Sequence, residues 1–249
     1  MRPLLLTLEN ISKSFGGLSA VSAMNLSIAE GEIVGLIGPN GAGKTTLFNL
    51  IAGVYQPGNG KIFFRAREIT RDDPAARCAQ GIARTFQHVR PFYHLSALDN
   101  VAVARVYGRE PVRSRAQAAR DARESLERVG LKESPELHAG ALNLMSRKRL
   151  ELARALASRP YLLLLDEWLA GLSPNELPEA LNLIRALRAS GITIILVEHL
   201  VKAVFGISDR VVAMDAGEKI AEGAPSYVAV HPRVVEAYLG PDHRRAEMV

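Results

Sequence analysis

The chain has 249 residues, 23% of them charged and 48% hydrophobic, with a formal net charge of +5. That length can bury a full core, and that composition excludes an intrinsically disordered chain. A single cysteine, Cys78, excludes an internal disulfide and a cysteine metal cluster. No apolar run approaches the roughly 18 residues of a membrane-spanning helix. The opening Met1-Arg2-Pro3-Leu4-Leu5-Leu6 has an apolar stretch too short for a secretory signal, and Glu9 follows soon after. The expectation is one domain with an inserted subdomain, working in a reducing compartment.

Taken in order, residues 5 to 36 read as short strands. Leu6-Thr7-Leu8 and Leu26-Ser27-Ile28 alternate, and Glu30-Gly31 turns into the apolar run Ile33-Val34-Gly35-Leu36-Ile37. Directly after this buried strand stands Gly38-Pro39-Asn40-Gly41-Ala42-Gly43-Lys44-Thr45-Thr46, which fills every fixed position of the phosphate-binding loop G-x-x-x-x-G-K-[ST]. Leu47, Leu50 and Ile51 follow at helical spacing, and Gly53 stands where a helix would stop. Glycines let backbone N–H groups turn inward around phosphate oxygens, and the helix N-terminus adds positive potential there. In such a loop Lys44 reaches the β- and γ-phosphates and the Thr45 hydroxyl holds Mg²⁺. A glycine-rich turn before an ordinary helix is the bland alternative; the strand–loop–helix context favours a nucleotide site.

Pro57-Gly58-Asn59-Gly60 is a turn, Lys61 to Phe64 a strand, and Pro74 to Gln80 a short helix closed by Gly81. Ser96 with Asp99 reads as a capping box opening a helix through Val101 and Val103. Arg113 to Val129, without internal Gly or Pro, is a helix closed by Gly130, and another runs from about Ser146 to Ala157. Seven arginines fall between Arg105 and Arg128, interleaved with Glu110, Asp121, Glu124 and Glu127 and without an aromatic ladder. They read as a solvated helix face, not a nucleic-acid surface. Strand signals return at Tyr161 to Leu165, then a helix from about Asn175 to Ala189, a strand at Ile192 to Val197, and a hairpin around Asp215-Ala216-Gly217-Glu218. The predicted fold is α/β: a P-loop NTPase core with a parallel sheet, an N-terminal antiparallel β subdomain and an inserted all-helical subdomain. Residues 1–90 and 156–249 form the core with its β subdomain, and 91–155 the insertion.

Leu162-Leu163-Leu164-Leu165-Asp166-Glu167 sets two carboxylates at the end of a buried strand, where ligands gather in a parallel sheet. Asp166 suits the Mg²⁺ shell and Glu167 can polarise an attacking water. His199 follows its own strand in the same way, a position for a γ-phosphate contact. Gln87, just before the insertion, is placed to bind metal and water and to sense movement of the insertion.

The order of phosphate loop, Gln87, helical insertion, Asp166-Glu167 and strand-end His199 resembles the nucleotide-binding subunit of ABC transporters over nearly the whole chain. Gly81 to Gln87, Ala170-Gly171-Leu172 and the ending Pro232 to Gly240 resemble the branched-chain amino-acid importer branch. The resemblance implies an ATPase using ATP and Mg²⁺, peripheral on the cytoplasmic face of the membrane. Its implied partners are a second ATPase subunit, two transmembrane permeases and an external solute-binding protein, with no nucleic acid. It also implies that Phe15 stacks on adenine, the alternative for Phe15 being simple packing. Urea, amides or lipopolysaccharide export are alternative transport roles, and a non-hydrolysing regulatory subunit is another reading.

The family's signature, Leu-Ser-Gly-Gly-Gln or Leu-Ser-Tyr-Gly-Gln, is here Leu142-Asn143-Leu144-Met145-Ser146. In the family its serine and glycine bind the γ-phosphate held by the partner subunit. Asn143 can cap the following helix, whereas Met145 brings a Cβ and a long side chain, and disfavours φ > 0. The signature therefore reads as impaired. The expected assembly is a heterodimer whose partner supplies an intact signature, with poor turnover in its absence. Trp168 stands where the family has proline and is expected to be a packing residue on the subunit contact, the alternative being that it tilts Glu167.

Overall fold

The computed structural model describes residues 2–86 and 89–239. Strands β1 (Leu4–Phe15) and β2 (Leu18–Ala29) pair antiparallel, and β1 also pairs with β4 (Asn59–Phe64), which pairs with β5 (Arg67–Glu68). This four-stranded sheet is the expected N-terminal β layer, but its first two strands are twelve residues each, not three. The apolar alternation breaks because the pair is bulged: register shifts fall between Leu8 and Ile11 and between Ile11 and Lys13. Asn10 and Ala23 beside them take positive φ. A bulge flips the pattern by one residue, so only the unbulged stretches read as strands in sequence.

The second sheet has the order β10-β9-β3-β8-β7-β6, built from β3 (Ile33–Ile37), β6 (Ile82–Arg84), β7 (Leu162–Asp166), β8 (Thr193–Val197), β9 (Arg210–Asp215) and β10 (Glu218–Gly223). Its pairings are parallel except for the β9–β10 hairpin. Every residue of β3, β7 and β8 is buried. Alternate side chains serve two cores. Val34, Leu36, Leu162 and Leu164 face α1 (Lys44–Ile51) and the antiparallel sheet, while Ile33, Ile37, Leu163 and Leu165 face the opposite, helical side. Phe48 and Leu47 of α1 fill the space between the sheets.

Between β6 and β7 stand α3 (Ala97–Tyr107), α4 (Arg115–Arg128) and α5 (Leu144–Ala157), the last preceded by a 3₁₀ turn at Ala139–Ala141. The remaining helices are α2 (Pro74–Gln80), α6 (Glu176–Ala189), α7 (Val201–Ile207), α8 (Pro225–Ala229) and α9 (Pro232–Leu239). Helix ends follow local chemistry. Asp73 caps α2 through Ala76 N–H at 2.8 Å, and Gly81 ends it at φ 103°. Ser96 caps α3 through Asp99 N–H at 3.0 Å, and the Asp99 carboxylate accepts from the Ser96 hydroxyl at 2.8 Å.

Arg77 and Arg105 are both buried, and the second departs from the surface role its sequence context implies. Arg105, expected on a solvated face, is 2% exposed; its Nε bonds Asp121 at 2.6 Å, and it also donates to the carbonyl of Glu110. Arg77 is fully buried and donates to the carbonyls of Leu50, Ile51, Ile69 and Thr70. A buried guanidinium is tolerated only when its donors are satisfied, and here, with Asp72 O accepting from Nε at 3.1 Å, five carbonyls receive them.

Candidate active site

The parallel register sets three strand ends side by side: Leu36 of β3 pairs with Val197 of β8, which pairs with Asp166 of β7. The phosphate loop, Asp166-Glu167 and His199 therefore leave the sheet at one edge. A cleft of about 410 Å³ opens there, lined by Phe15, Asn40 to Thr46, Glu167 and His199, among others.

Gly43 caps α1 at φ 98°, and a Cβ on it would lie 2.2 Å from the carbonyl oxygen of Ala20, so only glycine fits. Lys44 Nζ donates to the loop's own carbonyls, Gly38 at 2.7 Å and Pro39 at 2.9 Å. Burial pushes the Lys44 pKa down, and the nearby charges of Glu167 and Asp166 oppose that shift. Thr45 is exposed to the cleft. Phe15 lies on the cleft rim, 43% exposed and edge-on to Tyr55 at 5.2 Å between centroids. Lys13 Nζ lies over the Phe15 ring, 5.4 Å from its centroid.

Glu167 adopts φ 51° and donates its N–H to Val197 O at 2.9 Å. A left-handed glutamate is a strained conformation held by the strand beside it. Its Oε1 lies 2.8 Å from His199 Nε2, a contact that puts the proton on Nε2 when Glu167 is ionised. The carboxylate and the imidazole thus sit as one unit in the cleft. Asp166 is buried, with its Oδ2 bonded to Arg84 Nη2 at 2.6 Å and its N–H donated to Thr85 Oγ1 at 3.2 Å. Arg84 also reaches Asn49 of α1. Gln87 lies outside the described residues.

The residues 142–146 do not join this cleft within one chain. Leu142 is buried, and Asn143 caps α5 by accepting Ser146 N–H at 2.8 Å, the cap its sequence position implies. Leu144 is exposed, and Ser146 is buried with its hydroxyl on the Glu133 carboxylate. Met145 lies in the first turn of a right-handed helix, not at positive φ. The expected backbone strain is therefore absent, and what remains is its side-chain bulk at the helix tip.

Trp168 is a packing residue, as expected, and it packs within its own chain. It is 2% exposed within its own chain, and its indole N–H donates to Lys148 O at 3.1 Å. Lys148 returns the contact, donating from Nζ to the carbonyls of Trp168, at 2.9 Å, and Ala170. Two buried acids join this brace. Glu198 accepts Leu169 N–H at 2.5 Å, and Glu151 accepts Phe86 N–H at 3.2 Å. Burial raises both carboxyl pKa values to about 7. Arg84, Lys148, Glu151 and Glu198 had no signal in sequence, because each acts on a residue 20 or more positions away.

This is a P-loop nucleotide-binding cassette: a phosphate loop and an acid–imidazole pair share one edge of a parallel sheet, beneath an antiparallel layer and beside a helical insertion. The ABC transporter family profile matches residues 21–170. The chain belongs to that family and is one of its ATP-binding subunits. It is 40% identical to the high-affinity branched-chain amino acid transport ATP-binding protein LivG of Salmonella typhimurium, over 95% of this chain and 98% of that protein. It is 39% identical to the corresponding BraF of Pseudomonas aeruginosa, over 96% of this chain and 98% of that one. A crystal structure of the ADP conformation of an ATP-binding cassette from an ABC transporter superimposes with a TM-score of 0.86 at 31% identity, covering 96% and 99% of the two chains.

Proposed function

We propose that the chain powers a membrane importer of branched-chain amino acids or similar small polar solutes by hydrolysing ATP. The observation that carries the hydrolytic reading is the Glu167–His199 pair at 2.8 Å, set in the same cleft as Lys44. Glu167 accepts a proton from the attacking water, and His199 holds that carboxylate and contacts the γ-phosphate. Lys44 exchanges its loop carbonyls for phosphate oxygens, and the loop N–H groups with the α1 N-terminus receive the β-phosphate. Phe15 stacks on the adenine. The cassette relatives named above support the transport role, and their names supply the solute class.

The residues present fit Mg²⁺. Thr45, Asp166 and Gln87 offer oxygen donors, which a hard cation takes. Among the described residues no cluster of three His, Cys, Asp or Glu side chains forms a stand-alone metal site. Bound with the nucleotide, the ion would be held by Thr45, Asp166 and Gln87. When bound it neutralises charge on the phosphates.

The chain is read as half of a heterodimer, in which each site joins one subunit's phosphate loop to the other's signature. Residues 91–155 form the helical subdomain that carries this signature. Two permeases and an external solute-binding protein complete the assembly on the membrane, with this subunit on the cytoplasmic side. Among the described residues no helix is long and apolar enough to cross a membrane. Asn143 keeps the helix tip ordered for a partner's phosphate, while Met145 crowds it, so the site on this chain's own loop turns over and the opposite one is slow. The test is ATP turnover of the reconstituted heterodimer carrying Glu167→Gln. Turnover is expected to fall by about a hundredfold or more. Undiminished turnover refutes the assignment.

A further inference from the structure

We propose that Tyr238 is a positioning residue for the bound nucleotide, its hydroxyl fixing the first peptide of the phosphate loop. This rests on the nucleotide reading of that loop. Strand pairing ends at Ile37, opposite Ala213 of β9, and Gly38 is the first residue beyond it. Gly38 is tightly confined there: at φ 152°, a Cβ on it would lie 2.2 Å from the carbonyl oxygen of Met214. Its N–H donates to Tyr238 Oη at 2.8 Å, across 200 positions of sequence. Its carbonyl accepts Lys44 Nζ at 2.7 Å. Two hydrogen bonds through one residue therefore join Tyr238 of α9 to the lysine aimed at the phosphates.

Helix α9 is seated to do this. Val234 is buried, and Val234, Tyr238 and Leu239 line a small cavity of about 210 Å³ with Ile37, Val201 and Phe205. Ile37 is the last residue of β3. Val201 opens α7, and its N–H donates to His199 O at 3.0 Å. The same helix thus packs against the root of the phosphate loop and against the helix that follows His199. Burial raises the Tyr238 pKa, with the Gly38 N–H acting in the opposite sense, so the phenol stays protonated at neutral pH and accepts through a lone pair. A phenol has the reach to hold this N–H from outside the loop, and it leaves the first-turn N–H groups of α1 to the ligand.

Tyr238→Phe removes one oxygen and keeps the ring. In the purified full-length chain, the Kd for ATP with Mg²⁺, read with a fluorescent ATP analogue, is expected to rise about fivefold, the effect of losing one neutral hydrogen bond. Amide exchange at Gly38 should accelerate, while Ile33 to Ile37 keep their protection and the thermal midpoint falls by no more than about 2–6 °C, the share of one hydrogen bond. An unchanged Kd overturns the proposal. So does a loss of affinity that comes with a larger fall in the midpoint and lost protection along β3, since Tyr238 would then be a packing residue. A wild-type chain that fails to bind ATP overturns the nucleotide reading itself, and this proposal with it.

Discussion

Replacing Arg84 by methionine tests how the Asp166 charge is kept in the fold. The guanidinium has 10% of its side-chain surface exposed and the carboxylate 3%, at a separation of 2.6 Å. Neither charge has water to fall back on. Removing the cation leaves Asp166 with its backbone N–H satisfied by Thr85 but its Oδ2 charge unpaired. Breaking a buried pair from one side costs about 3–5 kcal/mol. In a chain of this size each kcal/mol moves the thermal midpoint by about 2–4 °C, so Arg84→Met should melt roughly 6–20 °C lower. Arg84→Met with Asp166→Asn removes both charges and should recover most of that loss, giving a coupling of about 2 kcal/mol or more in the cycle. The assay is thermal unfolding by circular dichroism of the four proteins, without nucleotide. A single-variant loss below about 1 kcal/mol, or an additive cycle, refutes the reasoning, because it would mean the pair behaves as a solvated surface bridge.

Glu151 and Glu198, both with pKa raised to about 7 by burial, give a signed pH dependence. The unfolded chain loses these protons first as pH rises, so stability falls between about pH 4.5 and 7 and levels off above, by up to about 3 kcal/mol for each group. Glu151→Gln with Glu198→Gln keeps both acceptors and should flatten the midpoint–pH curve from pH 5 to 8; an unchanged slope refutes the assignment. At the helix tip, Asn143→Ser with Met145→Gly should raise turnover at the partner's phosphate loop about a hundredfold, read in a heterodimer whose own Glu167 is glutamine. The same change should lower stability by about 1 kcal/mol through the glycine in α5. Unchanged turnover would show that Met145 does not obstruct the signature.

What was legible in sequence was local. The phosphate loop lies within nine residues, and its strand and helix adjoin it, so motif and context are read together. Helices with a side-chain cap and a glycine stop are legible within a residue or two: α2 where Asp73 and Gly81 frame it, α4 from Arg115, capped by Ser114, where Arg113 is expected. The α/β class followed from β3, β7 and β8, whose unbroken apolar runs only a doubly covered sheet explains. Pairing at a distance was not legible. Arg105 sits among arginines that alternate with acids, as on a solvated helix, and nothing nearby shows that Asp121 covers it. Trp168 reads as a packing residue, but only the fold brings the Lys148 carbonyl to its indole. The bulges at Asn10 and Ala23 erased half of the strand signal in β1 and β2.

The buried Arg77 changes the electrostatics of the cleft from behind. Helix α1 has eight residues, which makes it about 12 Å long. A helix that short carries about half a positive charge at its phosphate end and half a negative charge at the other. At such a length the far pole would subtract from the near one in the field at the phosphates. The far pole here lies on the carbonyls of Leu50 and Ile51, and both accept hydrogen bonds from Arg77. Its pKa, lowered to about 10 by burial, leaves the guanidinium charged at neutral pH. With its negative end covered, α1 acts toward an incoming anion less as a dipole than as a single positive pole.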